Sequence, residues 1–345
     1  MRDAYEVVTD AVKLGRRITP AAEWFLDNYH LIEEQIRTAR RHLPRRYSRE
    51  LPRLTDGPSV GLPRVYGIAL ELIAHADGRV DGESLRAFVA AYQSVQPLRL
   101  SELWAIPIML RLALLENLRR VAVHVMNARR ERERAAYWVE QMLEASATAP
   151  ARVVLVLAEM VREDPPLTVA FVAEFASRLQ GQGPALVFAV TWLEQRLAEQ
   201  GQTIEQVFQQ ASQNQAAHQV SIGNSIGSLR FLGAAEWRDF VETMSVVDRT
   251  LRGDPAGVYA GMDFATRDYY RHAVEQIAKR GRLSEDEVAR KAVELAGLPP
   301  APTDDAANGA GVARAARAAR AARAARAAHV GYFLVDRGRR ALERA

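Results

Sequence analysis

Four arginines, four aspartates and three tyrosines crowd one stretch of this chain. Arg249, Arg252, Arg267 and Arg271 stand among Asp248, Asp254, Asp263 and Asp268, with Tyr259, Tyr269 and Tyr270 close by. Two carboxylates placed across a sugar are the machinery of glycoside cleavage. Sugars also stack on aromatic rings and hydrogen-bond to Asp and Arg. A sugar-contact reading uses Arg249, Arg252, Asp263, Arg267, Asp268, Tyr269 and Tyr270. The same residue types also form buried ion-pair networks that tie helices together, the more frequent use of such clusters.

A second stretch, Gly223-Asn224-Ser225-Ile226-Gly227-Ser228 with Arg230 beside it, has the composition of a turn. Backbone N–H groups of such a turn, at a helix start, cradle anions. Gly223, Asn224, Ser225 and Arg230 are then the anion-binding residues. The plainer alternative is a connecting loop. Asp77-Gly78-Arg79-Val80-Asp81-Gly82-Glu83 has a calcium-loop look, but Arg79 and Phe88 occupy positions where an EF-hand needs oxygen ligands. It reads as a loop between helices with Asp81 as a cap.

Other chemistry is missing from the sequence. The seven histidines form no H-E-x-x-H or similar pair, so they read as surface or packing residues and no metal site is expected. There is no G-x-S-x-G, Walker A or G-x-G-x-x-G motif. The absence of cysteine excludes disulfides and thiolate metal sites, and fits a reducing compartment.

The elements that carry these residues read as helices. Phe25, Tyr29, Ile32, Ile36, Ala39 and Leu43 form one apolar stripe over Trp24–Leu43, which Pro44 ends. Further helices are expected at Leu62–His75, Gly82–Gln93, Ser101–Arg130, Arg132–Ala147, Ala151–Arg162, Leu167–Gln180, Pro184–Gln200 and Thr203–His218. Thr19-Pro20 and Ser284-Glu285-Asp286-Glu287 are start signals. Strand-like alternation is nearly absent. The expected fold is all-α, an irregular multi-helix bundle or stacked helical hairpins. Residues 1–300 form the helical domain, 301–328 an Ala/Arg-rich helical linker, and 329–345 a short final segment.

The charge is unevenly placed. From Ala306 to Ala345, nine Arg stand against Asp336 and Glu343, whereas the rest of the chain is slightly acidic. The ARAARAARAARAARAA run from Ala313 sends its arginines round all sides of a helix and leaves no apolar face. It reads as a solvated linker, with a polybasic arm for anionic lipid as the alternative. Nucleic acid is not expected. The start, MRDAYEVVTDAVKLG, carries acids where a secretory leader carries bases. The most apolar stretch, Leu103–Val125, is interrupted by Pro107, Arg111, Glu116, Arg119 and Arg120, so it reads as a core helix and not as a membrane span.

Three segments carry a resemblance: SVVDRTLRGDPAGVYAGMDFATRDYYR at Ser245–Arg271, DNYHLIEEQIRTARRHLPRRYSRELPRL at Asp27–Leu54 and HQVSIGNSIGSLR at His218–Arg230. Together they resemble the N-terminal cytoplasmic region of the cyclic β-1,2-glucan synthases, large inner-membrane glycosyltransferases of Gram-negative bacteria. AHVGYFLVDRGRRALE at Ala328–Glu343 resembles the stretch that precedes their first membrane helix. The resemblance implies a cytoplasmic setting at the inner face of the inner membrane. It implies membrane-embedded glycosyltransferase domains as partners, and β-1,2-glucan as a possible one. UDP-glucose and a divalent metal are implied only for a domain absent here, and no cofactor is expected in this chain. The family's D-x-D and Q-x-x-R-W motifs are not present, so no catalytic residue carries over. The leading expectation is a non-catalytic scaffold or regulatory region of such a synthase. The alternatives are direct glucan or sugar-nucleotide handling by Asp248–Arg271, with Tyr269 or Tyr270 as a glucan acceptor, and a free-standing helical adaptor whose Arg-rich tail binds acidic partners. The Ala/Arg insertion is expected to lengthen the distance between the helical body and the membrane-proximal stretch.

Overall fold

A computed structural model of the chain describes residues 1–15, 18–43, 49–57, 59–298 and 328–344. Among them every regular element is helical, and the one strand-type pairing is an isolated bridge between Arg53 and Pro63. The all-α expectation is borne out. In chain order the α-helices are α1 (Arg2–Lys13), α2 (Pro20–Asp27), α3 (Tyr29–His42), α4 (Arg64–His75), α5 (Gly82–Gln93), α6 (Leu100–Thr148), α7 (Arg152–Glu163), α8 (Val169–Leu179), α9 (Val187–Ala198), α10 (Ile204–Ala234), α11 (Trp237–Met244), α12 (Val246–Leu251), α13 (Phe264–Arg280), α14 (Glu285–Gly297), α15 (Val330–Val335) and α16 (Arg339–Leu342).

Short-range chemistry sets many of the boundaries. Thr19 accepts the Ala22 N–H with Pro20 in the first turn, so α2 begins there. Asp81 and Ser84 form a reciprocal capping box on α5, as do Ser284 and Glu287 on α14. Asp164, in the left-handed region at φ 47°, ends α7 before Pro165.

Four expected helices come out differently. The Trp24–Leu43 stripe is broken at Asn28 (φ −107°, ψ 11°), whose side-chain amide donates to the Trp24 carbonyl. A short polar side chain bonding back to the main chain is a common way to interrupt a helix. Ser101–Arg130 and Arg132–Ala147 are one continuous helix, α6. Its polar middle stays helical because Arg and Glu are good helix formers. Arg129 pairs with Glu133 and Arg134 with Glu131 there, at helical spacing. The helix expected at Thr203–His218 does not stop at His218 but runs on to Ala234, through the glycines expected to form a turn. Ile222, Ile226 and Leu229 are buried at helical spacing, and that burial outweighs the weak helix preference of Gly223, Gly227 and Gly233.

The chain divides into two compact units. The first comprises Met1–Pro44, Leu70–Val80 and Leu110–Gly233, and the second Arg45–Ala69, Asp81–Met109 and Ala234–Ala345. One core of the first unit gathers Trp138, Met142, Met160, Phe171, Phe175, Leu193 and Leu197, with Phe171 and Phe175 stacked at 5.7 Å. A core of the second gathers Val247, Leu251, Tyr259, Val274, Ile277 and Val288. Ala289, Ala292 and Ala296 keep α14 thin, and α12 and α15 pack against it.

The final segment belongs to that second core. Val330, Phe333, Leu334 and Leu342 are all buried in it. The stretch expected to lie apart as a membrane-proximal tail is therefore part of the helical body. The expected lengthening by the Ala/Arg insertion is corrected, because α14 before it and α15 after it share one core. The tract itself, with the linker expected at 301–328, lies outside the described residues except for Ala328. Among the described residues no helix is long and apolar enough to cross a membrane.

Candidate functional site

The Asp/Arg/Tyr stretch is assembled by α11, α12 and α13 in the second unit. Ser245 caps α12 by accepting the Asp248 N–H, which fixes Asp248 in a buried first turn. Asp263 caps α13 by accepting the Thr266 N–H at 2.8 Å. Arg267 and Arg271 then stand one helical turn apart on the same side of α13. Arg271 is fully buried. Its guanidinium donates to Asp248 at 2.8 Å, to Glu242 at 3.0 Å and to Asp268 at 3.1 Å. Arg267 donates to both Glu242 oxygens at 2.7 and 2.9 Å, and Arg252 to Asp248 at 2.7 Å. The Tyr259 hydroxyl donates to Asp248 at 2.9 Å, and the Phe264 ring lies 5.1 Å from the Arg271 guanidinium.

Three arginines thus face three carboxylates, and the cluster is neutral as a whole. Burial, then the charge of Asp248, pushes the Tyr259 phenol far above its ordinary range. The hydrogen bond from Arg267 holds the Glu242 carboxyl below its usual value, against burial. For Arg271, burial pulls the other way, but the bonds to Glu242 and Asp268 and the charges around it keep it firmly protonated. This arrangement ties α11, α12 and α13 together.

The sequence-expected residues fall into three groups. Arg252, Arg267 and Asp268 join the network. Asp263 is a surface helix cap, and Arg249 and Tyr269 are exposed. Tyr270 is buried instead beside His329, its hydroxyl 3.5 Å from the imidazole Nε2. Sequence reasoning missed Glu242, which lies outside the conspicuous stretch with nothing nearby to mark it. It also missed the pairing of Asp254 with His329. Asp254 Oδ2 accepts the Val258 and Tyr259 N–H groups and faces His329 Nδ1 at 2.9 Å, while Oδ1 accepts the Val330 N–H at 3.0 Å. One carboxylate therefore closes its own turn and pins the start of α15.

The Gly223–Ser228 stretch, in the first unit, is neither a loop nor a helix start. Its backbone N–H groups lie inside α10 and serve the helix, so the expected anion cradle is not formed. The side chains hold the Asp77–Val80 turn. Asn224 donates to the Asp77 carbonyl at 3.2 Å. Ser228 donates to the Gly78 carbonyl at 2.8 Å and accepts the Val80 N–H at 2.7 Å. Buried Ser225 accepts from Asn117 at 3.0 Å, and Arg230 donates to Asn28 at 2.7 Å. Gly78 sits at φ +82°, where a Cβ would lie 2.5 Å from the Ser225 hydroxyl. Asp81 caps the following helix, as the sequence suggests.

The first unit also carries a groove of about 890 Å³ between α6, α8 and α10, which sequence reasoning did not find. His124 and His218 meet there with ring centroids 5.8 Å apart. Burial, then His124, pulls the His218 imidazole below its ordinary value. No group of three or more potential metal-ligating side chains occurs among the described residues.

No family model matches the chain. Its similarity is to the cyclic β-(1,2)-glucan synthases, as its three quoted segments suggest. One relative is the cyclic beta-(1,2)-glucan synthase NdvB of Rhizobium meliloti (strain 1021), 33% identical over 340 residues. The match takes in 99% of this chain but only 11% of the length of that relative.

Proposed function

We propose that this chain is a helical scaffold or regulatory region of a cyclic β-1,2-glucan synthase system, without catalysis of its own. One observation carries the reading: the similarity to the NdvB synthase runs through nearly the whole chain. The geometry supports it, since Asp268, one of the two carboxylates of the sugar-contact reading, is bound by Arg271, and the other, Asp263, is a helix cap. In this reading the chain works at the cytoplasmic face of the membrane, and its partners are the membrane-embedded glycosyltransferase domains.

The test is direct. The purified chain, incubated with radiolabelled UDP-glucose and magnesium, is expected to release no glucose and to form no glucan. When mixed with detergent-solubilised synthase lacking the matching segment, it is expected to co-elute with that protein. Turnover by the chain alone, or failure to co-elute, overturns the reading.

A further inference from the structure

We propose that the first unit pairs with a second copy of this chain through the outer face of α7, the two helices running antiparallel and crossing at Ala158. This goes beyond the scaffold reading and does not depend on it. A surface helix turns its apolar stripe inward and its polar residues outward. In α7, apolar residues point both ways. Val153 and Met160 are buried in the core of the first unit. On the other side Val154, Leu155, Ala158 and Val161 recur at helical spacing and are all exposed, Leu155 at 68% and Val154 at 51%. The neighbouring α9 adds Val187 and Phe188, exposed at 56% and 65%. Single exposed apolar side chains are ordinary, whereas a run of them on one face marks a surface that binds.

Charge selects the occupant. Arg152 and Glu163 stand at opposite ends of the stripe, about three turns apart and therefore on one flank of it. Neither side chain has an ion-pair or hydrogen-bond partner among the described residues. The other two charged residues of α7, Glu159 and Arg162, pair with each other at 3.6 Å. In an antiparallel pair, each residue before Ala158 meets one about as far after it. Leu155 then lies against Val161 of the second copy, and Arg152 comes level with the second copy's Glu163, on the same flank. The two-fold axis repeats both contacts, so the stripe is self-complementary in shape and in charge. Ala158 is small, which lets the helices approach closely where they cross. Two helices of 12 residues each offer a small surface, so the expected association is weak, about micromolar.

Sedimentation equilibrium of the full chain over a concentration series tests this. A monomer–dimer equilibrium is expected. Leu155→Glu, at an exposed position, is expected to weaken it by about tenfold or more and to leave the circular dichroism spectrum unchanged. Arg152→Glu sets like charges against each other at both ends of the contact and weakens the dimer. Adding Glu163→Arg to it restores opposite charges and is expected to recover the original association. That recovery carries the test if Leu155→Glu fails to fold. A monomer at every concentration up to millimolar overturns the proposal and leaves the stripe to a different chain. So does a dimer that Leu155→Glu leaves intact, or a double reversal that associates no better than Arg152→Glu alone.

Discussion

Arg271 and Asp248 meet at 2.8 Å with both side chains shut away from solvent, and three helices converge on that contact. A paired charge in such a place is retained by its partner. Asp248→Ala leaves Arg271 buried without its closest counter-ion, and a broken buried pair costs about 3–5 kcal/mol. Asp263→Ala removes only a surface cap and is expected to cost a small fraction of that. Denaturant unfolding of the two variants checks the ranking. Equal effects would mean that the network is not what joins α11, α12 and α13.

Gly78 and Gly223 are expected to respond in opposite directions to alanine. Gly223 lies inside α10 with only Trp24 within reach of a Cβ, at 3.9 Å. Gly223→Ala therefore stabilises by about 0.5–1 kcal/mol, the helix-interior difference between the two residues. Gly78→Ala forces a left-handed backbone on alanine, about 1–2 kcal/mol, and drives a methyl group into Ser225. Thermal melts of both variants decide the matter. Destabilisation by Gly223→Ala would restore a turn at that position.

The contrast between these glycines shows what the sequence could and could not disclose. Thr19-Pro20, Asp81 and the Ser284–Glu287 box are local signals, because a cap and the N–H it bonds are three residues apart or fewer. They were legible. The helical course of Gly223–Gly233 was not, because it depends on where Ile222, Ile226 and Leu229 are buried. Asp254 and His329 are 75 residues apart in sequence, and nothing local announces their contact. The ion-pair reading of Asp248–Arg271 was available from composition. Glu242, its hub for two arginines, was hidden in an ordinary amphipathic helix.

Leu334 tests the placement of the last segment. It is fully buried in the second core, so Leu334→Ala is expected to cost about 2–5 kcal/mol, as for other buried leucines. A membrane-proximal tail independent of the body would tolerate the change. Unchanged unfolding of the variant would return the segment to that role.

Glu285 makes stability depend on pH. At the first turn of α14 it accepts the Leu100 N–H at 2.8 Å. Burial pushes its carboxyl up to about 7; Glu275 and Glu102 add to this, and the Leu100 N–H and Arg99 oppose it. An ordinary glutamate titrates near 4.5. Between those values the folded chain holds a proton that the unfolded chain releases. This group's contribution is therefore fully present below about 4.5, falls as pH rises, and is lost above about 7. Glu285→Gln keeps an acceptor for Leu100 and carries no charge. It is expected to flatten the fall in melting temperature over that window and to be the more stable form at alkaline pH. An unchanged slope would place the titration elsewhere.

This chain is expected to do the work of the synthase segment it resembles. The most direct measurement is glucan synthesis from radiolabelled UDP-glucose by membranes carrying the Rhizobium meliloti synthase in three forms: intact, deleted for the matching segment, and with this chain in its place. We expect the deletion to lose synthesis and the replacement to recover it, with Asp248→Ala in the replacement losing it again. A replacement as inactive as the deletion, although folded and present in the membrane, would mean that this chain does not serve that segment's role.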